Sequence, residues 1–213
     1  MNGSLRRLAA FALASLSLGA FAHAGEEPDT IAGRLAAEDR FVSTEDANGL
    51  DAFRFDQRNW YDYDILFAAV LTEGSLVPAV TSADTEVTLF APNDRAFQLL
   101  AFNLTGRWFF TELEVVGALL DLVDQGAVNL GNVLSYHLVG QRVLRRDIPF
   151  GADVPTLNGD PLRFKRYFFG LFVRIKDVST SFRNPFLLRT DLGAGRSVVH
   201  SISRVLIPSN VGG

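Results

Sequence analysis

Cysteine is absent from the 213-residue chain. With it go disulfides, Cys-ligated zinc, iron–sulfur clusters, a thiol nucleophile and a bacterial lipoprotein anchor. Positive charge is also short. The 20 Lys and Arg stand against 24 Asp and Glu, so nucleic acid is not an expected partner: the chain has no basic footprint to attract a phosphate backbone. Histidine occurs three times, too few for a histidine-rich metal centre. No apolar run comfortably spans a bilayer and the C-terminus has no apolar tail, so no stable membrane span is expected. What remains is 48% hydrophobic and 21% charged, the balance of a globular chain with one well-buried domain.

The first two dozen residues carry an export pattern. Arg6 and Arg7 form a positive n-region, Leu8 to Phe21 is apolar, and Ala22-His23-Ala24 is a small-x-small cleavage site before Gly25. Residues 1–24 are therefore expected to be a removable signal peptide, and the mature protein to be secreted or periplasmic. Residues 25–60 form a mixed N-terminal arm. Ile31 to Arg40 suits one short helix, Ser43 to Gly49 is loop-like, and Phe53 and Phe55 alternate with polar neighbours.

From Tyr61 the periodicity sharpens. Asp62 or Asp64 is placed to cap a helix carrying Ile65, Leu66, Ala69 and Val70, which Gly74 closes. Val87 to Ala91 is a compact strand stopped by Pro92, and Asn93 caps a helix with Ala96, Phe97, Leu100 and Ala101 on one face. Phe90 and Phe97 should bury on the two sides of that corner, each stabilising by roughly 1.5–3 kcal/mol. Leu113–Val123 and Val128–Leu138 read as two further helices. The second half changes to short strands: Val143–Asp147, Leu162–Tyr167, Phe172–Asp177 and Val198–Ile207, with Asn158-Gly159 a hairpin signal and Pro208 a stop. Both parities of the last run are partly apolar, as in an inner strand with two packed surfaces. The fold class is α+β, in one domain.

Catalytic chemistry finds little purchase. Past the signal only His137 and His200 remain, and pairing either with Ser135, Ser201 or Ser203 lacks a Gly-x-Ser-x-Gly elbow. Core or corner histidines bonded to backbone are the expectation, and no enzyme, metal or cofactor is anticipated. Asp62 and Asp64 have no calcium-loop spacing and read as solvated surface. Gly193-Ala194-Gly195-Arg196 precedes a strand and is no dinucleotide loop.

Three stretches carry a resemblance. Val87-Thr88-Leu89-Phe90-Ala91-Pro92-Asn93-Asp94-Arg95-Ala96-Phe97 is similar to the first signature box of fasciclin (FAS1) domains. Leu134-Ser135-Tyr136-His137-Leu138-Val139 resembles their Tyr-His motif, and Val198 to Pro208 their second box, with Ser201 and Ser203 where aliphatic and acidic residues are commoner. The resemblance covers Tyr61 to Asn210 and leaves the arm and the tail 211–213 outside. It implies a wedge-like β-sandwich with N-terminal helices packed against it, in which Phe90, Pro92, Asn93, Phe97, His200 and Pro208 are structural. It further implies a secreted adhesion module that binds extracellular or cell-surface protein or glycan, with Tyr136 and His137 as contact residues.

Aromatic loading sets a second expectation. The 18 Phe include Trp108-Phe109-Phe110, Tyr167-Phe168-Phe169 with Phe172, and Phe182 with Phe186. A strand buries only one of Phe168 and Phe169, so some rings face outward or line an apolar groove with Arg107, Arg166, Arg174 and Arg183 at its rim. Because some fasciclin-like proteins bind carotenoids, the resemblance makes Trp108, Phe109, Phe110, Tyr167, Phe168, Phe169 and Phe172 the walls of an alternative carotenoid or other apolar-ligand site.

Overall fold

Strand Thr88–Pro92 (β1) pairs in parallel with Ser197–Ile202 (β7), Leu89 opposite Val199 and Phe90 opposite His200. Leu138–Val139 (β2) and Leu192–Ala194 (β6) flank this pair, giving a four-stranded sheet in the order β2-β1-β7-β6. A second sheet is the antiparallel meander Asp153–Pro155 (β3), Pro161–Tyr167 (β4) and Phe172–Lys176 (β5). The helices are Ile31–Glu38 (α1), Asp64–Glu73 (α2), Val77–Thr81 (α3), Asp94–Thr105 (α4), Glu112–Asp124 (α5) and Leu130–Tyr136 (α6). This computed structural model describes residues 28–38 and 59–209; the export signal, the Ser43–Gly49 loop, Phe53, Phe55 and the tail lie outside the described residues.

Strand alternation explains the two cores. Leu89, Ala91 and Val199 point from the first sheet into a helical core with Leu66, Phe97 and Val115. Phe90 and Ile202 point the other way, into a core shared with Leu162, Phe164, Val173 and Ile175 of the second sheet, where the rings of Phe90 and Phe164 lie 5.5 Å apart. Phe90 and Phe97 therefore do bury on opposite sides of their corner, and every residue of β7 is buried. Pro92 ends β1 and is buried, as is Pro208 beyond β7. Ile31 and Leu35 of α1 enter the helical core, and the Gly195 N–H donates to the Pro28 carbonyl at 3.0 Å.

The local signals hold at the helix starts and turns with one exception. Asn93 Oδ1 accepts the Ala96 N–H at 3.1 Å, the cap its position requires. Gly74 ends α2 at φ 73°, and Gly159 turns the β3–β4 hairpin at φ 96°. Neither Asp62 nor Asp64 caps α2, however. Tyr63 stands at the cap without a side-chain bond, and Asp94 Oδ1 accepts the Ile65 N–H at 3.0 Å. The start of α4 packs on the start of α2, so the carboxylate that satisfies α2 arrives from 29 residues away.

Two strand expectations need correction. Val143–Asp147 is not a strand: the Val143 N–H goes to Thr88 Oγ1 at 2.8 Å and the Arg145 N–H to Asp191 Oδ1 at 2.7 Å, so side chains take the donors a ladder would use. A short 3-10 turn at Arg145–Asp147 follows. Phe168 and Phe169 do not alternate in a strand either; they open the four-residue turn Phe168–Leu171 between β4 and β5, at φ 49° and 56° with Gly170 at 91°, and both are exposed. Left-handed φ values favour Asn and Gly and strain aromatic residues. Replacing Phe168→Asn together with Phe169→Gly should therefore stabilise the fold by about 1–2 kcal/mol, a rise in melting temperature of a few degrees. A lower melting temperature would show that the rings support the hairpin.

Candidate interaction surface

Tyr136 ends α6 and His137 caps it, so both lie where the helix turns into β2. Both are fully buried. Tyr136 Oη accepts the Val178 N–H at 3.0 Å and donates to the Pro161 carbonyl at 3.2 Å; burial, above all, raises its pKa. His137 Nδ1–H donates to the Val133 carbonyl at 2.7 Å, and Nε2 accepts the Leu206 N–H at 2.9 Å. Desolvation drives the imidazole pKa down to about 4, so it is neutral in the folded chain near neutrality. These residues tie α6 to β4, to the segment after β5 and to the chain beyond β7. The resemblance implies a contact role for both residues, and in the folded chain the packing leaves neither side chain at the surface.

His200 uses the opposite tautomer. Its Nε2–H donates to the Val143 carbonyl at 2.8 Å, Nδ1 accepts the Asp191 N–H at 3.1 Å, and Phe90 stacks at 5.6 Å. Burial lowers its pKa as well. Ser135 Oγ donates to the carbonyls of Gly131 and Asn132, and Ser203 Oγ accepts the Phe186 N–H. With all four ring nitrogens committed to backbone groups, neither imidazole stands as a base beside a serine.

Asp62 and Asp64 are not solvated: both are buried beside Asp94, and one oxygen from each lies within 4.8 Å of the others. An all-oxygen set of this kind suits a hard divalent cation in type. Burial, followed by contact with Asp62, raises the Asp94 pKa well above the carboxylate range.

The aromatic residues divide. Phe109 is buried, with Arg107 over its ring at 5.3 Å, while Trp108 meets Phe102 edge-on at 5.3 Å beneath Arg95. Phe110 is exposed and apart from these. The second group runs along the hairpin: Phe168 on Phe172 at 6.0 Å, Phe172 on Phe186 at 6.5 Å, and Tyr167 on Phe186 at 6.1 Å. Among the described residues no ring contact joins the groups. A depression of about 590 Å³ reaches from Arg95 to Arg174 and Phe186, and Arg183 and Arg204 also line it. Four arginines, Leu99 and Phe186 line this depression, and the Trp108–Phe110 rings do not.

A different surface comes forward. On β4 and β5 the residues facing away from the core are Arg163, Lys165 and Tyr167, opposite Lys176, Arg174 and Phe172. Asp153 neutralises Arg163 through two bonds of 2.8 Å. Lys165 and Lys176 are exposed, and Arg174 lies between Tyr167 and Phe186, 5.7 and 5.8 Å from their ring centres. Sequence reasoning passed over both lysines, and it read Arg145 and Arg146 as part of a strand. The signal for the lysines was present, since alternation in Arg163-Phe164-Lys165 and Val173-Arg174-Ile175-Lys176 puts each basic residue on the outer parity.

Comparison with known proteins agrees with the two signature boxes around β1 and β7. The chain belongs to the fasciclin domain family, whose model matches residues 65–208. Among solved structures it is similar to the FAS1 domain pair of the insect cell adhesion molecule fasciclin I, at 17% identity and a TM-score of 0.38, over 57% of this chain and 36% of that one. The chain thus spans little more than a third of that neighbour's length. No curated protein matches it.

The state of His137 has a measurable consequence. A depressed folded pKa gives stability that is present above the unfolded value of 6.5 and is lost as pH falls toward 4. The advantage of the native chain over His137→Gln should shrink by about 1.4 kcal/mol per pH unit across that window in denaturant titrations. An advantage independent of pH would mean the imidazole is not held neutral.

Proposed function

We propose that this chain is an exported, non-enzymatic interaction module that binds an extracellular protein or glycan carrying acidic groups. The observation that carries this reading is the outer face of β4 and β5, where Lys165, Arg174 and Lys176 flank Tyr167 and Phe172 in a chain of net charge −4. Local excess of one charge against the sign of the whole molecule orients an acidic partner, and aromatic rings beside arginine are the side chains that anchor interfaces. Family membership supports an interaction role, and backbone-bound histidines favour binding over catalysis. Among the described residues no helix is long and apolar enough to cross a membrane.

Binding to immobilised heparin, used as a polyanionic glycan probe, should weaken with salt and fall about tenfold in Lys165→Glu/Lys176→Glu. Tyr136→Phe should lower stability by about 1–3 kcal/mol, because it strands the Val178 N–H, yet leave binding per folded molecule unchanged. Heparin binding that ignores both lysines, or that drops with Tyr136→Phe at constant folding, overturns the assignment of the face. Export is read separately: mass spectrometry of the secreted chain should place its first residue at Gly25, and retention of Arg6 and Arg7 would refute cleavage.

A further inference from the structure

Where β4 turns into β5, the molecule exposes four apolar side chains in five residues. Phe168 is 74% exposed, Phe169 wholly so, Leu171 69% and Phe172 46%. Two phenylalanines at left-handed φ carry a backbone strain that Asn and Gly avoid. Among the described residues, the one ring contact that offsets any of it is Phe168 edge-on to Phe172. The turn aims both rings away from the core. Runs of exposed apolar residues of this kind mark a surface that works against another apolar phase.

The surroundings say which phase. At the foot of the turn is a depression of about 430 Å³ lined by Arg145, Arg146 and Arg166 together with Phe150 and Phe169. The Arg145 guanidinium donates to the Leu171 carbonyl at 3.4 Å, fixing one cation against the turn, and Arg166 lies over Phe150 at 4.0 Å. Two carboxylates face this cation set. Asp191 borders the depression with its Oδ1 on the Arg145 N–H. Asp147 pairs with Arg146 at 3.4 Å, an exposed pair that a lipid phosphate can replace at little cost. Lys165 adds a further cation along β4. Apolar rings at the tip with arginines set a few ångströms behind them match the layering of a bilayer surface, acyl chains first and phosphates above. A polyanionic glycan would meet the arginines and could stack on one ring, but it offers no apolar phase deep enough to cover Phe168, Phe169 and Leu171 together.

We propose that the β4–β5 turn is a peripheral membrane-docking tip, with Phe168 and Phe169 entering the interfacial region of an anionic bilayer and Arg145, Arg146 and Arg166 receiving lipid phosphates. This goes beyond the protein-or-glycan reading and stands without it, since the tip and the Lys165–Lys176 face are altered by different substitutions.

The test is partitioning of the purified full chain onto vesicles of phosphatidylcholine alone and of phosphatidylcholine mixed with phosphatidylglycerol. Three arginines predict roughly hundredfold stronger partitioning on the anionic mixture. Phe168→Asn/Phe169→Gly, which keeps the turn, should lose about tenfold, and Arg146→Glu/Arg166→Glu should abolish the preference for anionic lipid. In Phe169→Trp the new indole should shift its emission to the blue on anionic vesicles. Equal partitioning of the native chain and Phe168→Asn/Phe169→Gly overturns the proposal, because vesicle binding by any other segment survives that change. So does heparin binding that needs Arg146 and Arg166 without vesicle binding, which makes the depression a glycan site. Concentration-dependent dimers that disappear in Phe168→Asn/Phe169→Gly, with no indole shift on vesicles, also overturn it and make the tip a self-contact.

Discussion

The parallel ladder between β1 and β7 is the constraint on which the other contacts depend. It joins Thr88–Pro92 to Val198–Ile202 across more than a hundred residues, and its leading end is secured by the Val87 N–H on Ser197 Oγ and the Val198 N–H on the Val87 carbonyl. A parallel pair needs cover on both faces. The helices provide one cover through Leu89 and Val199, and the second sheet provides the other through Phe90 and Ile202. Every later contact, from α1 against β6 to the hairpin on its far side, is made on a layer that this pair defines.

Residues whose role is dictated locally were legible in the sequence. A proline after a run of β-formers, followed by an asparagine, has few solutions, and β1, the turn and the capped α4 follow from it. The two-sided apolarity of the last run led to a buried inner strand, but one that ends at Ile202 instead of Ile207. The Leu206 and Ile207 N–H groups go to His137 Nε2 and Asp177 Oδ2 and not to a ladder. What was not legible depended on distant partners. The cap of α2 comes from Asp94, the Val143 N–H is taken by the Thr88 hydroxyl, and Asp62 and Asp64 are drawn inside by the meeting of two helix starts. The turn at Phe168-Phe169 escaped for another reason: its residues contradict the turn chemistry that sequence rules use, and only the fold supplies their φ values.

Tyr136 and the two histidines explain how irregular backbone survives inside this molecule. The segments around Val143, Val178, Asp191 and Leu206 lie outside strands or helices, so their polar groups have no ladder to join. Tyr136 takes the Val178 N–H, His137 the Leu206 N–H, and His200 both the Asp191 N–H and the Val143 carbonyl. Unpaired, each of these groups would cost about 1–3 kcal/mol. Aromatic side chains with polar tips suit the task because they fill the core while reaching its edge. In this chain the motif's side chains are committed to the fold, and its presence alone does not locate the surface that meets a partner.

That separation leaves the second sheet as the place where chemistry can vary. Its inner residues, Leu162, Phe164, Val173 and Ile175, are pinned by the core they share with Phe90. Its outer residues satisfy no such demand, and an exposed strand position tolerates lysine, arginine or tyrosine at little cost to stability. Here that freedom is filled by cations and rings on the face and by two strained phenylalanines at the tip. The left-handed φ values at the tip favour Asn and Gly over aromatic residues, so the exposed rings sit where local backbone preference would not put them. The scaffold holds the hairpin rigid from behind, and the hairpin presents what the scaffold does not need.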